Sequence, residues 1–198
     1  MPHTQPSLVL ASGSVTRRAL LDRLRLSYRI DPADVDETIL AEETPGEACL
    51  RLAKLKADTV AERHPGATVL GSDQLLAWEG GILGKPGDAA TARRQLAEIA
   101  GQTIRFYVAL RVVGPNGQRL DWQETVEAQM RRLTGHEIAR YVEIEQPFDC
   151  AGSMRSEGLG VSLVERMDSR DPTAILGLPL IATARLLREV GIDPLAAT

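Results

Sequence analysis

Val69-Leu70-Gly71-Ser72-Asp73-Gln74 is a short apolar run that rises out of Ala67-Thr68 and closes on a carboxylate. Leu75-Leu76-Ala77-Trp78, a Glu-Gly-Gly turn and Gly84-Lys85-Pro86 follow. The pattern predicts a buried strand that delivers Asp73 to its C-terminal end, a tight turn after it, and Lys85 on a glycine-flanked loop. Open α/β sheets bind ligands beyond the carboxyl ends of their strands. A carboxylate and a lysine brought there suit a metal and a phosphate. A solvated turn aspartate would read the same in isolation. The rest of the chain decides between the two, because it sends cationic and acidic side chains to positions that packing alone would not choose.

Working outward, Ser7 to Ser12 reads as a first strand buried on both faces. Gly13 turns it, and Ser14 is an N-cap for a helix to about Leu24. Arg17 lies on the same stripe as Leu20, Leu21 and Leu24 and in the first turn of that helix. A strand, a small-residue turn and a helix N-terminus form an anion site, to which Ser12 and Ser14 add hydroxyls. A snorkelling arginine at a helix end is the other reading of Arg17. Arg18 points further round the helix and is expected in solvent. Ser27 to Ile30 is a short strand, and Asp31 to Thr38 an acidic loop of the kind that either faces water or supplies Mg²⁺ ligands.

Thr44-Pro45-Gly46-Glu47 marks a helix start, with an N-cap, proline at the first position and glutamate three residues on. The helix should run to about Arg63 with an apolar stripe of Cys49, Leu52, Ala53 and Val60. Lys56 falls in the middle of that stripe. A lysine there must snorkel out or find an anion, since burying an unpaired ammonium is expensive. Gly80 to Lys85 is not a phosphate-binding P-loop. Glu79 stands where its first glycine belongs, and Pro86 where Ser or Thr belongs. Asp88 caps a helix to about Ala100, and Thr103–Val113 with Leu120–Leu133 form a hairpin around Pro115-Asn116-Gly117. Thr134 caps a further helix that ends before Pro147. A glycine-rich segment, Phe148 to Gly160, carries Glu157, and a strand is expected from Val161 to Arg166. Asp171-Pro172 opens a short helical turn and Leu178-Pro179 the last helix.

A chain of 198 residues is long enough for one domain, with room for two lobes and a sizeable core. A net charge of −4 and the lack of a basic block argue against nucleic acid as a partner. Aromatic content of 4% leaves few stacking platforms for single strands. Cys49 and Cys150 lie far apart without metal-type spacing, which points to a reduced, cytoplasmic setting. No signal peptide and no membrane-spanning run are expected.

Taken together, Leu10-Ala-Ser-Gly-Ser-Val-Thr-Arg-Arg18, Asp34-Val-Asp-Glu37, Arg51-Leu-Ala-Lys-Leu-Lys-Ala57, Gly71-Ser-Asp-Gln74, Gly84-Lys-Pro86 and Gly177-Leu-Pro179 resemble the Maf family of nucleotide pyrophosphatases. The resemblance runs almost end to end, and Cys150-Ala-Gly-Ser-Met-Arg-Ser-Glu-Gly158 is similar to its 7-methyl-GTP branch. It implies a single domain, residues 1–198, with a mixed α/β fold, two lobes around a deep cleft as in the inosine-triphosphate pyrophosphatases, and a homodimer. The implied reaction is hydrolysis of a nucleoside triphosphate to monophosphate and pyrophosphate with a divalent cation, Mg²⁺ or Mn²⁺. By motif position, Asp73 resembles the catalytic base and a metal ligand, and Glu37 an acidic residue at the metal. Ser12, Arg17, Lys56 and Lys85 resemble the phosphate set, and Thr16, Gln74 and Glu157 the positions tied to substrate choice. Two departures stand out: the family has proline where Val15 stands, and arginine or tryptophan where Thr16 stands. The alternatives are a dTTP/UTP pyrophosphatase and a nucleotide-binding regulator of cell division with little turnover.

Overall fold

A computed structural model describes residues 7–196. The strands are β1 (Leu8–Leu10), β2 (Tyr28–Ile30), β3 (Thr68–Trp78), β4 (Gly81–Leu83), β5 (Thr103–Val113), β6 (Arg119–Met130) and β7 (Val164–Asp168). The helices are α1 (Val15–Asp22), α2 (Pro45–Arg63), α3 (Ala89–Ile99), α4 (Gly135–Glu145) and α5 (Leu180–Glu189), with short 3₁₀ turns at Ala151–Ser153, Leu159–Leu163 and Ala174–Leu176. The strand order is β2-β1-β3-β5-β6-β7, with β4 on β3. β1 pairs in parallel with both β2 and β3, while β4–β3 and β7–β6 are antiparallel, so the sheet is mixed as expected. No described helix is long and apolar enough to cross a membrane.

The chain divides into two compact units. The first is Met1–Gln74, Val108–Glu124 and Asp171–Thr198; the second is Leu75–Tyr107 and Thr125–Arg170. In the first unit β1, the start of β3 and the end of β5 are buried on both faces, and the alternation of side chains sorts the core into two clusters. Leu8, Leu10, Leu70, Leu110 and Val112 pack with Leu20, Leu21, Leu186 and Leu187 of α1 and α5. Val9, Val69 and Val113 pack with Ala57 and Val60 of α2. In the second unit α3 buries Ala92, Leu96 and Ile99, and α4 buries Ile138, Tyr141 and Val142.

The helix starts follow their local chemistry. Thr44–Glu47 and Thr134–Glu137 each form a reciprocal capping box, and Asp88 caps α3. The start of α5 lacks a cap of its own beyond Pro179, so buried Asp171 and Thr173 supply it. Thr173 Oγ1 accepts the Leu180 N–H at 2.7 Å, and Asp171 Oδ2 the Ile181 N–H at 2.7 Å.

β1 and β6 are shorter than expected, at Leu8–Leu10 and Arg119–Met130, and β4 forms where a turn was expected. β3 does not end at Asp73 but continues to Trp78, because β4 folds back on it with Leu76 opposite Leu83. β7 starts at Val164 rather than Val161, since residues 159–163 coil into a 3₁₀ turn.

Candidate functional site

Three small residues, Gly71, Ala53 and Ala57, set the geometry around Asp73. A Cβ on Gly71 would lie 2.7 Å from the Ala53 carbonyl and 2.7 Å from the Ala57 methyl. Only glycine lets α2 sit this close to β3, with Ala53 and Ala57 resting on strand backbone. Lys56 shares their helix face, and Asp73 shares the strand face of Gly71 two residues on. Lys56 Nζ therefore meets Asp73 Oδ1 at 2.6 Å, with both residues buried. Lys56 also bonds Glu37 Oε1 at 2.9 Å. The lysine found on a core-facing stripe is thus paired with two carboxylates, which resolves how it is accommodated.

The second oxygen of Asp73, Oδ2, is buried and has no hydrogen-bond partner in the protein. Burial pushes the Asp73 carboxyl above the ordinary carboxylate range, against the pull of the Lys56 and Arg17 charges.

Glu37 reaches this pair from the loop between β2 and α2, which is tied to α2 at two points. Asp31 accepts from Arg63 Nη2 at 2.9 Å and meets His64 Nε2 at 2.7 Å. Arg51 Nη2 donates to the Thr38 carbonyl at 2.9 Å and to Glu43 at 2.8 Å. Asp31 is held below the ordinary carboxylate range by His64 first and Arg63 next.

On the other strand face, Ser72 Oγ donates to the Gly177 carbonyl at 2.6 Å, and Gln74 Nε2 to the Ile175 carbonyl at 2.7 Å. Arg17 Nε donates to the same Gly177 carbonyl at 3.0 Å. These bonds fix the guanidinium and leave it further N–H groups. Ser14 caps α1 through the Arg17 N–H, so its oxygen is engaged by the helix itself. Ser12 Oγ accepts from the Ser14 N–H at 3.2 Å and keeps its own proton to donate. β1 leaves the sheet after Leu10, opposite Leu70, so Ser12, Arg17 and Asp73 all lie past the carboxyl end of this parallel strand. Asp73 thus lies within β3 and beyond the end of β1, not at the end of its own strand as expected.

Thr16 is half-buried in the first turn of α1. The first unit therefore gathers Ser12, Thr16, Arg17, Glu37, Lys56, Asp73 and Gln74, while Lys85 and Glu157 belong to the second and are exposed. Arg18, expected in solvent, is half-buried, and its Nε is enclosed without a partner. Arg51 and Ser72 carried no sequence signal of their own beyond lying inside motifs. Their roles depend on a carbonyl 13 residues away in one case and 105 in the other.

The class is a mixed α/β protein with two carboxylates on a buried ammonium and a helix N-terminus past the end of a parallel strand, the position at which open α/β sheets bind ligands. The model of the family described as Maf-like protein matches residues 7–190, and the chain belongs to the Maf family. It is 47% identical over 194 residues to a protein of Bordetella avium (strain 197N) named 7-methyl-GTP pyrophosphatase, covering 98% of each chain. It is 50% identical over 188 residues to one of the same name from Xanthomonas axonopodis pv. citri (strain 306), covering 95% of this chain and 98% of that one. Among solved structures it is similar to the Staphylococcus aureus Ham1 protein, with 18% identity, a TM-score of 0.47, and coverage of 78% of this chain and 89% of that one.

Proposed function

We propose that this protein is a pyrophosphatase that hydrolyses a nucleoside triphosphate, N7-methylated GTP by preference, to the monophosphate and pyrophosphate. The observation that carries the reading is the buried Asp73 carboxylate, with one oxygen held by Lys56 and the other without a protein partner. Near-full-length relatives named 7-methyl-GTP pyrophosphatase support the substrate class.

In this reading Asp73 orients the attacking water and takes its proton. Lys56, Arg17, Ser12 and Lys85 bind the phosphates, and the charge that builds up as the α–β phosphoanhydride breaks is met by fixed cations. The partner-free Asp73 oxygen fits a divalent cation, Mg²⁺ or Mn²⁺, which Asp73 and Glu37 would hold. No group of three or more His, Cys, Asp or Glu gathers among the described residues. An ion held by two carboxylates takes its other positions from phosphate and water. When bound, the ion neutralises charge on the phosphates. The same reading takes the enzyme as a cytoplasmic homodimer acting on free nucleotides rather than nucleic acid.

The test is pyrophosphate release by the purified protein over 7-methyl-GTP, GTP, UTP and dTTP, with Mg²⁺, Mn²⁺ or chelator. The fastest release is expected from 7-methyl-GTP, with none under chelator. Faster UTP or dTTP cleavage would move the enzyme to the other branch. Nucleotide binding without turnover on any of the four would make it a regulator.

Base choice is the more specific expectation. A guanine edge offers N1–H and N2–H₂ as adjacent donors, which a carboxylate accepts in pairs. Methylation at N7 adds a positive charge that an acidic residue favours. Uracil and thymine present a single N–H between two carbonyls, so Glu157 would face acceptors with acceptors. Glu157→Gln is expected to lower the ratio of kcat/KM for 7-methyl-GTP over UTP about ten-fold or more, the scale of a lost charged hydrogen bond. An unchanged ratio would remove Glu157 from base recognition.

A further inference from the structure

Gln95 is a glutamine on the inner face of α3, only 7% exposed, whose amide is engaged at both ends. Its Nε2 donates to the Gly84 carbonyl at 3.1 Å, immediately before Lys85. Its Oε1 accepts from Ser153 Oγ at 2.6 Å. Both partners belong with Gln95 to the second unit. The Gly84 carbonyl is met a second time, by the Gly152 N–H at 3.1 Å, and the far side of the Lys85 loop is tied by the Gly87 N–H to the Phe148 carbonyl at 3.1 Å.

The Ser153 end continues toward Glu157. The Ser153 carbonyl accepts from Tyr141 Oη at 3.1 Å, and the same Oη accepts the Arg155 N–H at 2.9 Å. The Arg155 carbonyl then accepts the N–H groups of Gly158 and Gly160, each at 3.1 Å, which closes the loop that holds Glu157. Gly152 and Ser153 both have left-handed backbone, at φ 61° and 60°. Gly152 has no alternative, since a Cβ there would lie 2.6 Å from Leu76 Cδ1. Ser153 is a fully buried L-residue in a conformation that such residues rarely adopt. Strained backbone persists only where its surroundings over-determine it, and it clusters at functional sites. Here the surroundings are Gln95 and Tyr141.

We propose that Gln95 is a positioning residue that locks the Lys85 loop and the Glu157 segment into one frame, so that phosphate binding and base selection are set together. The inference rests on the roles given above to Lys85 and Glu157. A hydrophobic side chain of the same length would fill the same space, so packing alone does not require the amide.

The experiment uses the full chain and the variants Gln95→Met, Ser153→Ala and Lys85→Met, with kcat and KM measured on 7-methyl-GTP and UTP. Gln95→Met is expected to lower kcat/KM for 7-methyl-GTP about ten-fold and to reduce the preference over UTP. In that background Lys85→Met should cost clearly less than it does alone, the mark of two residues acting through one arrangement. Ser153→Ala, which keeps the Gln95–Gly84 bond, should reduce the base preference and leave the cost of Lys85→Met intact. Hydrogen exchange at the amides of Gly87, Gly152 and Gly158 should quicken in Gln95→Met. A lower melting temperature with unchanged kinetics, or full additivity with an active Lys85, would overturn the proposal. If Lys85→Met is neutral in the wild type, the phosphate assignment has failed instead. Exchange then decides the frame by itself, and unchanged protection in Gln95→Met would overturn it.

Discussion

A folded Asp73→Asn protein is expected to lose turnover by about 10²–10⁴-fold, the range a general base supplies, while still binding nucleotide. The substitution keeps the shape and leaves an amide oxygen to accept the Lys56 hydrogen bond now made at 2.6 Å. Folding should survive, because the buried ammonium retains Glu37 at 2.9 Å as its counter-charge. What is lost is a proton acceptor whose pKa burial has raised. The wild-type kcat/KM profile should therefore show an acid limb above the ordinary carboxylate value of about 3.9, and the variant should lack it. Pyrophosphate release against pH, with nucleotide affinity measured by calorimetry, checks both parts. Near-normal turnover in a folded Asp73→Asn protein would exclude Asp73 as the base.

Lys56→Met is expected to be just as inactive but also unstable, in contrast to Lys85→Met. The side chain of Asp73 is only 5% exposed, so without Lys56 its charge is left buried and unpaired. Breaking a buried pair on one side costs about 3–5 kcal/mol. At about 2–4 °C per kcal/mol for a chain of this size, the melting temperature should fall by roughly 10 °C. Glu37 contributes little to this loss, since its side chain is 58% exposed and can return to water. The pH dependence has a definite sign. The folded-state pKa of Asp73 lies above its unfolded value and should rise further once the ammonium is gone. Protonated Asp73 is tolerated in the core, so the deficit should be smallest below about pH 3.9 and grow as pH rises through the folded pKa. Adding Asp73→Asn to Lys56→Met should restore most of the stability and none of the activity. Lys85 is exposed, so Lys85→Met should leave the melting temperature unchanged and lower turnover alone. Thermal melts of the four proteins at two pH values separate these outcomes; a stable Lys56→Met at neutral pH would contradict the buried-pair account.

Local chemistry in the sequence determined the helix starts at Ser14, Thr44, Asp88 and Thr134, because a cap and its partner lie within three residues of each other. It also determined that Lys56 needed an anion, since its position on an apolar stripe is a property of one helix. Motif order along the chain singled out Ser12, Arg17, Asp73 and Lys85 as candidates. What local signals do not contain is the partner. β3 runs past Asp73 because β4 pairs with it, and residues 161–163 coil because their backbone closes on itself rather than on β6. Arg18 is half-buried, with the Tyr28 hydroxyl of β2 on its carbonyl, a neighbour that no helical wheel records. Only the tertiary structure decided that Gly71 lets α2 close enough for Lys56 to reach Asp73 across 17 residues, or that Gln95 holds Gly84 and Ser153 at once. The reason is physical: a capping bond is chosen by residues already adjacent in the chain. The contacts of a buried amide or ammonium are chosen by whichever elements pack against it, once the hydrophobic faces have found each other.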